Sequence, residues 1–309
     1  MKEIILHTTA LTKQYAGSKA VDSVNMTVRQ GDIYGFIGRN GAGKTTLIRM
    51  ITSLIGPTSG DIALFSQSDT DGLAAARKRI GCMVEAPAFY PKLTARQNLE
   101  YYRIQRGIPD KGVVEQALET VRLTDTGNKK YRAFSLGMKQ RLGLALAIMG
   151  KPDFLVLDEP INGLDPMGII EFRTILKDLR QAHGMTVLIS SHILSELTQV
   201  ATTFGIIHEG RLIKEFTHEQ LDAETKRCIA VKVDDSAKAS AVLQEQLQTT
   251  DFEVLPDNVL RIYACLDNPS EITFQLSTNG VRVLSATELG VNLEDYFLET
   301  IGATAATRA

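Results

Sequence analysis

The chain has few cysteines, and no two of them have a spacing typical of a metal site. Its three cysteines, Cys82, Cys228 and Cys265, lie far apart in a sequence of 309 residues. An odd number of isolated cysteines is typical of a protein in a reducing compartment and argues against a disulfide or zinc framework.

Long apolar runs and an excess of charge of one sign are also missing. No stretch approaches the roughly 18 apolar residues of a membrane span, and the longest candidate, 142–150, is better interpreted as a buried helix. The first residues, MKEIILHTT, turn polar too early for a signal peptide. A formal charge of -2 argues against a nucleic-acid partner bound by a broad basic face. We therefore expect a soluble, cytoplasmic protein that does not bind nucleic acid.

What the sequence does contain, over its first two thirds, is an alternation of short apolar runs and helical stretches. This alternation is typical of an α/β sheet covered by helices. Continuous apolar runs predict strands buried on both faces, at 32–38, 79–85, 153–159 and 185–191. Helices are predicted at 44–54, 94–106, 112–122, 138–149, 166–182 and 193–200. Looser alternation predicts edge strands within 4–28 and a hairpin within 206–215.

The pattern changes after about residue 220. Strand, helix, strand, strand, helix and strand follow in that order between 226 and 286, which is the arrangement of a small ferredoxin-like α+β unit. A last helix is predicted at 293–300. We therefore predict two domains, 1–220 and 221–309.

The segment GRNGAGKT, at 38–45, fits the pattern G-x-x-x-x-G-K-[ST] between a predicted strand and a predicted helix. Its glycines let successive backbone N–H groups point at phosphate oxygens at the start of the helix. Lys44 can reach the β- and γ-phosphates, and the Thr45 hydroxyl can bind Mg²⁺. A glycine-rich turn with an exposed lysine is the alternative, but the strand-loop-helix context favours a nucleotide site. The predicted ATP-binding residues of this segment are Gly38, Arg39, Asn40, Gly41, Ala42, Gly43, Lys44, Thr45 and Thr46.

Two adjacent acids follow another predicted strand, in FLVLDEP at 154–160. Asp158 stands where a P-loop ATPase places the carboxylate that supports Mg²⁺. Glu159 can then orient and deprotonate the attacking water. A strand that ends in two solvated acids is the alternative, and the phosphate loop upstream favours the catalytic interpretation.

Between these two sites lies FSLGMKQRLGLALAI, at 134–148. Together with the two motifs above, it resembles the signature of the ATP-binding subunits of ABC transporters, whose pattern is L-S-G-G-Q. Ser135 and Gly137 match that pattern, whereas Leu136 replaces its first glycine and Met138 its glutamine. Alone, the segment would fit an ordinary N-capped helix. The resemblance implies an α/β fold, with a mixed sheet and a helical subdomain, and ATP hydrolysis with Mg²⁺. It also implies a dimer in which Ser135 and Gly137 meet the ATP held by the partner subunit.

Three further residues fit the same resemblance. Asp165, in NGLD, looks like the D-loop aspartate that reaches across the dimer, although from the residues alone a plain Asn-Gly turn is the alternative. His192 resembles the histidine that contacts the γ-phosphate, although a lone histidine after a strand is more often structural. Tyr15 stands where the family has an aromatic ring stacked on adenine.

Glu85 ends the apolar run in RIGCMVEAPAFYP, at 79–91. It can be a strand end that reaches solvent, or a carboxylate beside Mg²⁺ and a triphosphate. The family usually has glutamine at this position. The bacitracin and lantibiotic-peptide immunity branch, which this stretch resembles, has glutamate there. The resemblance therefore implies that Glu85 is a catalytic residue and a Mg²⁺ ligand.

The next two aromatic residues, Phe89 and Tyr90, can either face a membrane permease or cover the local core. As a whole, the resemblance implies an ATP-hydrolysing subunit of an antimicrobial-peptide exporter. Such a subunit acts as a homodimer bound to integral-membrane permease subunits at the inner face of the cell membrane. A soluble ATPase that acts without a permease is the alternative, and a module that binds ATP without turnover is a second one.

Overall fold

The computed structural model describes residues 2–84, 88–225, 228–266, 268–289, 296–298 and 300–302. The described residues fall into two compact units, one within Met1–His218 and Thr300–Ala309 and the other within Glu219–Glu299. Across these described segments, no helix is long and apolar enough to cross a membrane.

The first unit contains two sheets. Its strands are β1 (Ile4–Tyr15), β2 (Ser18–Arg29), β3 (Ile33–Ile37), β4 (Ser59–Leu64), β5 (Ile80–Met83), β6 (Phe154–Leu157), β7 (Thr186–Ser191), β8 (Thr203–His208) and β9 (Arg211–Thr217). A six-stranded sheet has the order β5-β6-β7-β3-β8-β9, in which β9 is antiparallel to β8 and the other neighbours are parallel. A three-stranded antiparallel sheet has the order β2-β1-β4. The predicted mixed sheet is thus confirmed.

The centre of the larger sheet is fully buried. Every residue of β3, β6 and β7 is buried, as continuous apolar runs predict for parallel strands covered on both faces. Parallel strands bring their carboxyl ends to the same edge of a sheet. The loops that begin at Gly38, Asp158 and His192 therefore meet there, and the Gly38 N–H donates to the Ser191 carbonyl oxygen at 3.3 Å.

The helices of the first unit are α1 (Lys44–Ile51), α2 (Thr70–Arg77), α3 (Ala95–Gln105), α4 (Gly112–Thr120), α5 (Leu136–Ile148), α6 (Pro166–His183) and α7 (Leu194–Leu197). Each helix predicted for this part of the chain is present. Several begin with side-chain caps that satisfy the free N–H groups of the first turn. Thr94 and Gln97 form a capping box on α3, Ser135 caps α5, and Asp165 caps α6.

Two elements of the first unit, β4 and α2, were not predicted, and neither was a helix at His218–Thr225. The β4 segment begins Ser-Gly-Asp, which has low strand propensity, and it is a strand because it pairs with β1. Ala76 is the one fully buried residue of α2, so the helix has almost no apolar periodicity to detect. Its start is fixed by Asp69, whose carboxylate accepts from the Gly72 N–H at 2.9 Å.

The structure separates the two aromatic residues that precede α3. Phe89 is buried and packs edge-on against Tyr102, with 5.8 Å between ring centroids. Tyr90 is 44% exposed, although its backbone is fixed by Asn98, which accepts from the Tyr90 N–H and donates to its carbonyl oxygen. The core interpretation therefore holds for Phe89, whereas Tyr90 is exposed and its contact with a permease stays a prediction.

The second unit is a helix-covered antiparallel sheet. After α8 (His218–Thr225), its elements are β10 (Cys228–Val233), α9 (Ser236–Gln246), β11 (Phe252–Leu255), β12 (Val259–Ile262), α10 (Pro269–Thr278) and β13 (Val283–Leu289). The strand order is β11-β12-β10-β13, and all neighbours are antiparallel. This order matches the predicted ferredoxin-like arrangement. Of the last predicted helix, 296–298 and 300 are helical, and 293–295 and 299 lie outside the described residues.

Candidate nucleotide-binding site

The loop between β3 and α1 is a curl that depends on glycine. Gly41 and Gly43 have φ values of +80° and +108°, which residues with a side chain rarely adopt. A Cβ atom on Gly43 would overlap the carbonyl oxygen of Ala20. Gly43 is also the N-cap of α1 and has no side chain to cap it. A helix start of this kind favours a phosphate group, because its first N–H groups have no partner within the helix.

The Lys44 side chain extends along this loop and is only 5% exposed. Its ammonium group donates to the carbonyl oxygen of Gly38, and to that of Arg39 at 3.2 Å. The Nζ atom also lies 3.0 Å from Glu159 Oε1. The lysine is therefore held over the loop, within reach of an anion bound to the loop.

Ser190, at the end of β7, orders the two acids. Its hydroxyl donates to Asp158 Oδ1 at 2.7 Å and accepts from the Glu159 N–H at 2.9 Å. The Asp158 N–H in turn donates to the Met83 carbonyl oxygen at 2.9 Å. Three neighbouring strands thus fix the backbone that carries the acids.

The Glu159 carboxylate is shared between two side chains. One oxygen lies 3.0 Å from Lys44 Nζ, and the other lies 2.8 Å from His192 Nδ1. Glu159 itself has a φ value of +48°, an unfavourable conformation for a non-glycine residue. A carboxylate fixed in this way, beside a phosphate loop, can take a proton from a water molecule.

Among the described residues, two cavities border the loop. One of about 220 Å³ is lined by Ala20, Asn40, Gly41, Gly43, Lys44, Thr45, Thr46, Glu159 and Asn162. The other, of about 510 Å³, is lined by Arg39, Asn40, Gly41, Ala42, His192, His208 and Glu209. The structure therefore brings the predicted phosphate-loop residues together with Glu159 and His192.

Comparison with known proteins is in accord with this geometry. Residues 21–162 match the family "ABC transporter". Over 298 residues the chain is 44% identical to the bacitracin transport ATP-binding protein BcrA of Bacillus licheniformis, and the match covers 96% of this chain and 97% of that protein. The chain belongs to the ABC transporter ATP-binding proteins. The resemblance predicted from the signature is thereby confirmed, and with it an ATP-binding, ATP-hydrolysing domain.

Other ABC proteins match about two thirds of the chain. The lantibiotic transport ATP-binding protein SrtF of Streptococcus pyogenes is 39% identical over 208 residues, which is 66% of this chain and 87% of that protein. Among solved structures, cbiO1 of Clostridium perfringens superposes with a TM-score of 0.66 at 26% identity, over 72% of this chain and 92% of that one. These matches establish the ABC ATPase fold.

The residues predicted for the signature and the D-loop lie elsewhere in the first unit. Ser135 accepts from the Met138 N–H at 3.2 Å, and Asp165 accepts from the Gly168 N–H at 3.1 Å. Within the described part of the chain, Ser135, Gly137 and Asp165 do not line either cavity at the phosphate loop. One chain therefore does not bring its own signature to its own phosphate loop.

The roles of the predicted site residues remain predictions, and this includes Tyr15 and Glu85. Tyr15 ends β1, is 47% exposed, and has the Lys13 ammonium 5.2 Å above its ring centroid. Glu85 lies outside the described residues.

Several residues at the site were missed in the sequence. Ser190 contacts both acids, Asn162 lines the smaller cavity, and His208 lines the larger one. Ser190 had a usable signal, because it is a buried serine in TVLISSH one strand away from the acid pair. Nothing comparable marks His208, which lies in a hairpin far along the chain.

Proposed function

We propose that this chain supplies the ATPase of an ABC exporter for bacitracin-like or lantibiotic peptides. It works as one of two ATP-binding subunits bound to membrane permease subunits, with Mg²⁺ as cofactor. The proposal of a peptide substrate is supported by the 44% identity to a bacitracin transport protein over both units. A protein with the same designation in Enterococcus faecalis is 41% identical over 97% of this chain.

In the proposed mechanism, Glu159 activates the water that attacks the γ-phosphate. Lys44 moves its positive charge to the β- and γ-phosphates when ATP binds, which releases the Glu159 oxygen 3.0 Å away from it. The carboxylate then accepts a proton from water while His192 still holds its second oxygen at 2.8 Å. His192 thus orients the base and lies at the edge of the phosphate loop, where it can contact the γ-phosphate.

The residues present fit a Mg²⁺ ion. Magnesium prefers oxygen ligands, usually one or two protein oxygens with water and phosphate oxygens. Thr45 lines the cavity of the phosphate loop. Asp158 has one oxygen bonded to Ser190, and its other oxygen can bind a metal-bound water. The ion supplies charge neutralisation of the phosphates.

A second copy supplies what one chain lacks. Ser135 caps an exposed helix start that favours anions, yet it does not line the phosphate-loop cavities among the described residues. In the proposed dimer, Ser135 and Gly137 of each copy meet the ATP on the phosphate loop of the other. Asp165 reaches across the same interface.

The proposed permease contact is an apolar surface formed by Tyr90, Tyr101 and Ile104. These side chains are 44%, 41% and 64% exposed. The Tyr90 and Tyr101 rings are in contact, with 4.8 Å between centroids, and Ile104 follows one helical turn later on α3. Exposed apolar clusters of this kind are typical of protein contacts.

The permease is tested by purification of a tagged Glu159→Gln variant with ATP from gently solubilised membranes. We expect a multi-span membrane protein in stoichiometric amount, and its loss from a Tyr90→Ala, Tyr101→Ala variant. A matched control is Phe274→Ala, which removes a 61% exposed aromatic ring from the second unit and should change nothing. A soluble partner, or none, would favour the permease-free ATPase.

The substrate is tested by drug resistance in cells that express the chain with its permease. We expect resistance to bacitracin or a lantibiotic, lost in Glu159→Gln. The daunorubicin resistance ATP-binding protein DrrA3 of Streptomyces coeruleorubidus is also related, at 37% identity over 69% of this chain. Resistance to daunorubicin and not to peptides would therefore contradict the proposed substrate.

A further inference from the structure

Leu136 is the residue where this chain departs from the first glycine of the family signature, and its side chain has a defined neighbour. The Leu136 side chain is 46% exposed. Its Cδ2 atom lies 3.2 Å from the place where a Cβ on Gly163 would be. Gly163, in the loop after the acid pair, has a φ value of +74° and no side chain. The leucine therefore occupies space that any other residue at 163 would take.

The contact is reciprocal. Leu164 Cδ2 lies 3.9 Å from the place where a Cβ on Gly137 would be. Each segment thus places a leucine over a glycine of the other, which fixes the start of α5 against the loop before α6. Farther along the same two helices, Arg141 Nη2 lies 3.5 Å from Glu171 Oε2.

Both sides of this contact are tied to groups that act on ATP. On one side, the Asn162 N–H donates to the Glu159 carbonyl oxygen at 3.2 Å, so a tight turn connects the loop to the proposed base. On the other side, Ser135 directly precedes Leu136 and caps its helix by a bond to the Met138 N–H. A shift of Gly163 or Leu136 is therefore transmitted over few bonds to Glu159 or Ser135.

We propose that Leu136 is a positioning residue that couples the two ATP sites of the dimer. Through Gly163 it links Ser135, which meets the ATP of the partner subunit, to Glu159, which acts on the ATP of its own chain. This inference rests on the dimer and the base of the proposed function. Its consequence is cooperative hydrolysis, since occupation of one site sets the position of the base in the other.

A double-mutant cycle tests the coupling. ATP turnover is measured against ATP concentration for the unchanged protein, Leu136→Ala, Gly163→Ala and the double variant. Leu136→Ala should lower kcat and bring the Hill coefficient from above unity towards unity. Gly163→Ala should reduce kcat about fivefold more when Leu136 is present than when it is absent, the size expected for residues in direct contact. The backbone strain of alanine at a positive φ is the same in both backgrounds and cancels.

The control is Gly184→Ala, which also places alanine at a positive φ, +61°, but with nothing within 4 Å. It should leave kcat and the Hill coefficient unchanged. The affinity of a single subunit for ADP should be equal in all the variants, since none of these residues lines its phosphate-loop cavity. Additive effects of the two substitutions, or a Hill coefficient of unity in the unchanged protein, would overturn the inference.

The proposed function fails in a different way. It fails if Glu159→Gln retains turnover or if the unchanged protein has none, and the coupling inference then fails with it. Additivity in a protein whose turnover depends on Glu159 overturns the coupling alone.

Discussion

Glu159 contacts the two side chains that an incoming phosphate group would also contact. Its oxygens lie 3.0 Å from Lys44 Nζ and 2.8 Å from His192 Nδ1. The pair with Lys44 is partly buried, because the two side chains are 5% and 20% exposed. The acid proposed to activate water is therefore also the group that ATP must displace from the lysine.

Replacement of Glu159 by glutamine should tighten the binding of ADP as well as abolish turnover. The neutral amide cannot form an ion pair with the Lys44 ammonium, so the phosphates draw the lysine away more easily, and one negative charge near them is removed. We expect an affinity gain of about tenfold, in the range of one hydrogen bond between charged groups, by titration calorimetry. Asp178→Asn, which changes an acid 58% exposed on α6, is the matched control. Equal ADP affinity in both variants would contradict this competition.

Single residues could be predicted from the sequence where a motif fixes their place relative to a strand. Lys44, Asp158, Glu159 and His192 follow buried strands, and the structure brings them to one edge of the sheet. Ser190 was missed because its partners, Asp158 and Glu159, are far away in sequence. The contact of Leu136 with Gly163 was hidden for the same reason.

At the scale of elements, the phosphate loop is held between β2 and the turn that joins β8 to β9. The Ala42 carbonyl oxygen accepts from the Gly210 N–H at 2.9 Å, and the Gly210 carbonyl oxygen accepts from the Asp22 N–H at 2.8 Å. Asp22 adds ion pairs to Lys19 at 2.7 Å and to Arg211. The hydrogen bond from Lys19, together with the Arg211 guanidinium, lowers the pKa of Asp22 below its ordinary value of 3.8.

Asp22 should stabilise this arrangement in a pH-dependent way. Because its pKa is lower in the folded chain than in the unfolded chain, its contribution is complete above pH 3.8 and is lost as the pH falls through the folded value. Asp22→Asn should therefore lower the thermal midpoint near neutral pH, and the difference should shrink in acid. Thermal unfolding of both proteins, near neutral pH and again in acid, measures this difference in thermal midpoint. A difference that is equal at the two pH values would exclude the ion pairs as its cause.

Gly205, on β8, should tolerate no side chain. A Cβ atom there would overlap the Tyr34 hydroxyl, which is fully buried on β3 and donates to Glu215 Oε1 at 2.6 Å. Burial raises the pKa of Tyr34, so the group stays a neutral donor. Gly205→Ala should cost about 1–3 kcal/mol, as an overpacked core does.

Calorimetric or chemical unfolding measures that cost. Gly150→Ala is its control, since nothing lies within 4 Å of a Cβ on Gly150. Equal stability of the Gly205 and Gly150 variants would show that the sheet can move apart at this point.

Elements with a strong pattern were predicted, and those formed by context were not. The fully buried β3, β6 and β7 have continuous apolar sequences, which report burial directly. In contrast, β4 depends on its pairing with β1 and α2 on its cap. The partner of β4 is distant in sequence, and one capping residue is too weak a local signal to predict α2.

For the whole molecule, the sequence predicted the α/β unit and the ferredoxin-like unit but not the order of the larger sheet. That order, β5-β6-β7-β3-β8-β9, places β3 beside β7 although about 150 residues separate them in sequence. The match to the bacitracin transport protein covers both units, whereas the match to the lantibiotic transport protein covers 66% of this chain. The second unit is thus shared with the bacitracin transport protein, which matches this chain over nearly the full length of both proteins.

The central claim is that two copies close on ATP, each completing the site of the other. The most direct test is the mass of Glu159→Gln by sedimentation, with ATP and Mg²⁺ and again with ADP. We predict twice the 33.9 kDa of one chain with ATP, and a single chain with ADP or when Ser135 is also changed to arginine. A mass that does not depend on the nucleotide would contradict the account.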